Sequence, residues 1–432
     1  MAESSIQETA KNLDPLNMDD VESDSQQIKT EQLTDPESQD DFQLAALRLV
    51  EQNRIAVQNN TTLLSNEHYE ELDSVTEAWW TTADHIIPAS LIEEVDENVI
   101  SLMPEGTEII SIAPFGTSNW SRTAEVQTEL DGEERSYFLK VNDYRSGPIM
   151  FRSEFESLKA IYKAVPGFCP NPLGWGQYAS DPDVHFLLTP FVDMYDEAPD
   201  PDTLPPRMAE LHRNGVSPDM KFGFHVPVAG GPLPLRLARS SSWEDYLTRY
   251  LRYFFRAEEI AQGERPSEMQ DLIGVLFDRI MPRLIRPLET GGREITPRIL
   301  HTDLWSGNRA VDENGEPIIF DPCSIYGHNE FDLGIWSFAR EPYGQAFLHS
   351  YHTHFSRSAP EEDSEGRNAL YALAFEVRVS ATLTGHDQLF RKECIRYMSG
   401  LNEKYPESYE DWATSRGETV CPPKVEYRKI SP

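Results

Sequence analysis

The sequence predicts an α+β fold in two lobes, a small β-rich one followed by a larger, mostly helical one. Three observations carry this expectation. From about residue 108 to 142 the apolar residues run or alternate with a period of two, in "EIISIAPF", "TAEVQTEL" and "DGEERSYFLKV". Beyond Tyr195 they recur at helical spacing instead. One polar segment, "ILHTDLWSGNRAVDENGEPIIFDP" at 299–322, interrupts those helices and crowds His301, Asp303, Asn308 and Asp321 between apolar flanks.

In chain order, residues 1–41 are polar and acidic and cannot bury enough apolar surface to offset their ordering entropy, so they read as a disordered extension. Residues 42–87 form an accessory segment in which "DFQLAALRLVEQNRIAV" has helical periodicity, as an outer helix or a transient one. The first lobe, 88–194, opens with an amphipathic helix over 88–103 that Ser90 would cap. Three strands follow, then a helix in "IMFRSEFESLKAIYKAV", where Phe151, Phe155, Leu158 and Ile161 share a face, and a strand in "VHFLLTPFVDM". The second lobe, 195–405, contains "LPPRMAELHRN", "SWEDYLTRYLRYFFRAEEIA", "SEMQDLIGVLFDRIMPRLIRPLE" and "NALYALAFEVRVSATL", all helical in pattern. Residues 406–432 read as a loosely ordered tail.

The 432 residues carry a formal net charge of −35. Such a chain repels phosphate backbones and anionic leaflets, which argues against nucleic acid and membrane as partners, and an anionic substrate would need a local cation or metal. The four cysteines are scattered without a CxxC pair, which suits a reducing compartment. No signal peptide or membrane-spanning run is visible, and a cytoplasmic location is expected.

Taken singly, Asp303, Asn308 and Asp321 are ordinary turn and capping residues. Their spacing points further. H-x-D-x-x-x-x-N over 301–308 is the pattern in which one carboxylate orients or deprotonates an attacking hydroxyl, while the Asn and a later Asp hold Mg²⁺ on the phosphates of ATP. Asn314-Gly315 is a hairpin signal that returns Asp321 to the same place. Lys140, in the third strand, supplies a phosphate-binding cation. Glu154, on the next helix, is placed to pair with it, and Glu156 is the rival for that role. Lys140 is expected to lie exposed in the cleft, so that replacing it would disturb the fold little. The loop "APFGTSNWS" (113–121) has one glycine, Gly116, and only its position between two strands makes it the candidate phosphate-covering loop.

Together "LHTDLWSGN", "IIFDPCSIYGHNEFDLG", "YFLKVN", "MFRSEFESL", "MAELHR" and "FGFH" resemble the fructosamine kinase family over about residues 88–400. The resemblance implies an aminoglycoside-phosphotransferase-like, protein-kinase-like fold. It also implies ATP- and Mg²⁺-dependent phosphorylation of the 3-hydroxyl of ketosamines, the ribulosamine or fructosamine adducts of protein amines or small amines, leading to deglycation. It makes Asp303 the catalytic base, Asn308 and Asp321 the metal ligands, and Lys140 a phosphate ligand held by Glu154. Residues 189–192 resemble the adenine-binding hinge, where Pro190 has no N–H and leaves Phe191 or Val192 to supply one. Trp305 and His301 are candidates on the sugar side, although Trp305 equally suits loop packing. His212 and His225 match family positions that support the fold, and Asp332 would brace the catalytic loop or cap a helix.

Three departures stand out. Thr302 takes the place of the usual glycine, and Asn119 stands about where some relatives carry a cysteine. The sugar-side segment near "VRVSATLTGHD" lacks the family's Asn, His and Trp. The last keeps open a kinase for another small hydroxylated acceptor. A binding module without chemistry is the rival from another class, and the complete Lys, Asp, Asn and Asp set speaks against it.

Overall fold

A computed structural model of the protein describes residues 78–80, 92, 94–116, 118, 120–143, 145–195, 200–384 and 388–424. The acidic extension, the accessory segment before Ala78, Ser90 and Asn119 lie outside the described residues. Of the helix expected over 88–103, the described residues hold α1 (Glu97–Ile100), which begins where Asp96 is extended and accepts the Asn98 N–H as the cap. The Asp96 carboxylate also takes the backbone N–H groups of Ala179 and Ser180.

The first lobe is an antiparallel sheet of β1 (Glu108–Pro114), β2 (Arg122–Leu130), β3 (Glu133–Asn142), β4 (Gly174–Gln177) and β5 (His185–Pro190), in the order β1-β2-β3-β5-β4. Asp131 and Gly132, both at positive φ, make the β2–β3 turn. Helix α2 (Gly147–Ala164) packs on one face. Lys140 pairs with Leu187 across β3 and β5, and Leu187 shares a buried cluster with Phe155 and Leu158 of α2. Lys140 therefore faces α2 and is buried.

The second lobe holds α3 (Leu204–Asn214), the hairpin β6 (Val228–Gly230) and β7 (Leu233–Leu235), α4 (Trp243–Gln262) and α5 (Ser267–Val275). A π-turn joins α5 to α6 (Met281–Ile285). Then come β8 (Arg298–Leu300), β9 (Arg309–Val311), β10 (Pro317–Ile319) and β11 (Ile325–Gly327), with β9 paired to β10 and β8 to β11. A 3₁₀ turn over Asn329–Ser337 leads to α7 (Gly344–His354), α8 (Ser364–Thr382), α9 (Leu389–Lys404) and α10 (Tyr409–Ser415). Among the described residues no helix is long and apolar enough to cross a membrane.

Two regions differ from expectation. The tail is packed as far as the described residues run: Ser408 caps α10, and Tyr409 and Trp412 are buried. Arg283, Arg286 and Arg293 lie over those rings, and Arg293 also pairs with Glu418. Few aliphatic residues are involved, so apolar periodicity does not reveal this packing. Upstream, Trp80 is 2% exposed in the main core and donates its indole N–H to the Ala381 carbonyl of α8 at 2.8 Å.

Trp80→Ala is expected to cost about 3 to 5 kcal/mol, the usual range for a buried tryptophan, read by chemical denaturation; a change below about 1 kcal/mol would show that the segment does not belong to the core. A second expectation concerns His328, whose ring bonds Tyr371 and Ser358 and whose pKa burial pushes down to about 4. Below pH 6.5 the unfolded chain takes up a proton that the folded one refuses, so this contribution to stability is full above 6.5 and lost as pH falls toward 4. The slope of stability against pH over that window should be shallower in His328→Gln, and equal slopes would remove His328 as a cause.

Candidate active site

The polar segment is anchored from below by one carboxylate. Asp332, 1% exposed, accepts the backbone N–H groups of His301 and Thr302, each at 2.8 Å, and contacts His212 Nε2 at 3.2 Å. It is thus the brace, and His212 supports it from behind, with Tyr351 on its other nitrogen. The fully buried His301 is not at the sugar side. Its Nδ1 accepts the Asp303 N–H at 3.2 Å and its Nε2 donates to the Phe320 carbonyl at 2.9 Å, a neutral tautomer consistent with the burial that lowers its pKa. This ring fixes the loop to the strand that returns Asp321. Thr302 sits at φ +59°, a region costly for a β-branched residue and open to glycine. Its N–H bond to Asp332 and its hydroxyl bond to the Cys323 carbonyl hold it.

Asn308 donates Nδ2 to the Asp303 carbonyl at 2.8 Å and to its carboxylate at 3.3 Å, leaving Oδ1 as the atom able to ligate a cation. Phe320 N–H bonds the Asn308 carbonyl at 3.1 Å. Asp312 builds the connecting turn by accepting the N–H groups of Asn314 and Glu316. The turn is longer than a two-residue hairpin, and Gly315 alone takes the positive φ. Asp321 itself lies at φ +57° with its side chain partly exposed.

Lys140 Nζ lies between Glu154, at 2.7 Å, and Asp321. Glu156 is engaged instead with His225 and Lys159, so neither it nor His225 belongs to the site. Lys140 is buried rather than exposed. Burial opposes its charge, but Asp321 and Glu154 outweigh that and hold its pKa above the usual lysine value. Burial pushes the Glu154 carboxyl up against the pull of Lys140, and the nearby Asp321 carboxylate adds to the rise.

At the 189–192 stretch, Phe191 N–H donates to Ser136 O at 3.0 Å, so it is not the adenine donor; no described backbone carbonyl takes the N–H of Val192. The Phe191 ring packs edge-on to Phe115. Gly116 takes φ +74° in the loop after β1, and Ser118 Oγ accepts the N–H groups of Trp120 and Ser121. Trp120 in turn packs on Gly231, where a Cβ would lie 3.1 Å from the indole. Trp305 is 45% exposed and its ring lies over Gly307, whose missing side chain makes the seat. One residue at the site is absent from the motif, namely Arg378 of α8, whose Nη2 contacts the Asp303 carboxylate. Its signal in the sequence is a lone arginine inside the apolar run "LYALAFEVRVSATL".

Among the described residues no group of three or more His, Cys, Asp or Glu is arranged to hold a metal. Asn308 and Asp321 nevertheless fit Mg²⁺, which takes one or two protein carboxylates and fills its shell with phosphates and water.

A family model described as fructosamine kinase matches residues 103–397. The chain belongs to the fructosamine kinase family. With it, the chain is a phosphotransferase acting on a hydroxyl group. A rice protein-ribulosamine 3-kinase is 32% identical over 288 residues, covering 66% of this chain and 78% of the relative. A mouse ketosamine-3-kinase is 29% identical over 251 residues, covering 52% and 76%. A Thermobifida fusca structure assigned as a fructosamine-3-kinase matches 69% of this chain and 95% of its own, with 21% identity and a TM-score of 0.53, a likeness of fold.

Lys140→Met would leave Glu154 buried without its cation. It should lose nucleotide-dependent turnover and cost about 3 kcal/mol, as a broken buried pair does. Adding Glu154→Gln should recover most of that stability and none of the turnover. If melting temperatures show the double variant no more stable than the single one, the two side chains do not form a coupled pair.

Proposed function

We propose that this fructosamine kinase family member uses ATP and Mg²⁺ to phosphorylate the 3-hydroxyl of ketosamines, ribulosamine or fructosamine adducts on protein or free amines, and so acts in deglycation. The observation that supports this most is the convergence of four groups from three elements: Asp303 and Asn308 tied together in one loop, and Asp321 brought by the following strand to Lys140. The names of the rice and mouse relatives point to the same acceptors. The four free cysteines agree with a reducing compartment such as the cytoplasm.

In this reading the acceptor oxygen attacks the γ-phosphorus, the bond to the β,γ-bridging oxygen breaks, and ADP leaves. Asp303 orients the hydroxyl and takes its proton. Its carboxylate faces the cleft, held by Asn308 on one side and Arg378 on the other. Lys140 neutralises phosphate charge, and Glu154 keeps it in place once a nucleotide competes for it. Val192 offers its N–H to the base. Asn308 Oδ1 and Asp321 would hold Mg²⁺, which when bound spreads the phosphate charge. Trp305 offers a flat apolar face beside the acceptor.

Because the two aspartates have different tasks, their variants should fail differently. Asp303→Asn should bind Mg·ATP normally and lose turnover by about 10²- to 10⁴-fold. Asp321→Asn should weaken Mg²⁺-dependent nucleotide binding itself. Nucleotide affinity with and without Mg²⁺, beside turnover on ketosamines, sugars, choline and aminoglycosides, decides the matter. Near-normal turnover in Asp303→Asn removes the base, and normal Mg·ATP binding in Asp321→Asn removes the metal ligand. Turnover on non-ketosamine acceptors alone overturns the substrate.

A further inference from the structure

Arg378 projects from α8 to the catalytic loop with only 5% of its surface exposed. Its stem crosses Gly230 of the β6–β7 hairpin, where a Cβ would stand 3.1 Å from Arg378 Cδ, so a larger residue at 230 would press on its path. The guanidinium has two different arms. Nη2 donates to the Asp303 carboxylate, at the point where the acceptor hydroxyl must arrive. Nη1 is shielded from solvent and meets no acceptor at hydrogen-bond geometry, with the Tyr250 hydroxyl the other polar group beside the guanidinium.

A buried donor without an acceptor costs about 1 to 3 kcal/mol, and a buried cation costs several more unless its charge is answered. Clamping Asp303 does not require this arrangement. One arm suffices for the clamp, and a neutral amide would provide it with less desolvation. Asp303 answers the charge of Arg378, one carboxylate to one guanidinium, and leaves Nη1 over. Lys140 is the contrasting case, with two carboxylates on one ammonium. Arg378 is thus a cation with an unused donor beside the reacting hydroxyl, in a chain of net charge −35 that otherwise repels anions.

We propose that Arg378 selects acceptors bearing an oxyanion close to the hydroxyl that is phosphorylated. The fork geometry of a guanidinium sets its two arms side by side. One arm holds Asp303 while the hydroxyl meets that carboxylate, and the other takes an oxygen of a carboxylate or phosphate on the same acceptor. Such a group could be the carboxylate of a glycated free amino acid or a phosphate on the sugar. The inference deepens the ketosamine reading and rests on it.

The test compares kcat/KM on three acceptors: fructosyl-propylamine, fructosyl-glycine, and fructosyl-propylamine carrying a 6-phosphate. Wild type should prefer at least one of the two anionic acceptors over the first by about tenfold to a hundredfold, the range of a charge-assisted hydrogen bond; which one identifies the source of the oxyanion. In Arg378→Gln turnover on all three should fall through the loss of the clamp, and the preference should vanish. Arg378→Lys keeps a cation on Asp303 but not the fork, so its preference should fall between the two. It decides alone if the glutamine variant does not fold. A wild type without preference, or a preference unchanged in the variants, overturns the inference. An equal loss on all acceptors with the ratio retained would mean that Arg378 serves Asp303 or the γ-phosphoryl group instead. Absence of turnover on every ketosamine overturns the ketosamine reading, and this inference with it.

Discussion

The position of the candidate catalytic groups depends on the buried carboxylate of Asp332. A charge removed from water is tolerated only if donors replace the solvent, and here two backbone N–H groups and a histidine ring do so. Those donors are not interchangeable parts of the core. They are the consecutive residues His301 and Thr302, so satisfying Asp332 fixes the path of the chain into Asp303. The His301 ring then passes the constraint to the Phe320 carbonyl, next to Asp321. One electrostatic requirement thereby sets two segments of the site against each other.

The lobes meet across a charge arrangement of another kind. Lys140 comes from the sheet and Glu154 from the helix packed on it, while Asp321 comes from the second lobe. Two carboxylates and one ammonium leave an excess of negative charge, which suits the divalent cation proposed there. The residue 195 backbone adds a second tie, since Tyr195 and Val311 exchange both backbone hydrogen bonds and attach the interlobe connection to β9.

Much of this is legible in the sequence because it follows local rules. The change of period near residue 108, the H-x-D-x-x-x-x-N spacing and the strand lysine each depend on a few neighbouring residues. The parts that escape depend on distant partners. Strand β4 is four residues, "GWGQ", too short and glycine-rich to alternate. The tail is held by arginines stacked on Tyr409 and Trp412, and no apolar pattern records such contacts. Phe191 is a reasonable adenine donor until Ser136, 55 positions earlier, claims its N–H. Arg378 is visible as an anomaly in an apolar helix, but its contact with Asp303 spans 75 positions. His301 looks like a ligand-grade side chain and proves to be an internal spacer, because imidazole serves equally well for either role.

The seat of Trp305 on Gly307 has a consequence for how this loop can drift over generations. A side chain at 307 would place its first carbon 2.2 Å from the indole and push the ring off into the cleft. Replacement of Trp305 by a small residue would lift that bar, after which position 307 could accept many amino acids. The two positions are therefore coupled, because the ring keeps this seat only while 307 lacks a side chain. A side chain at 307 would leave the tryptophan in the loop but in a different place.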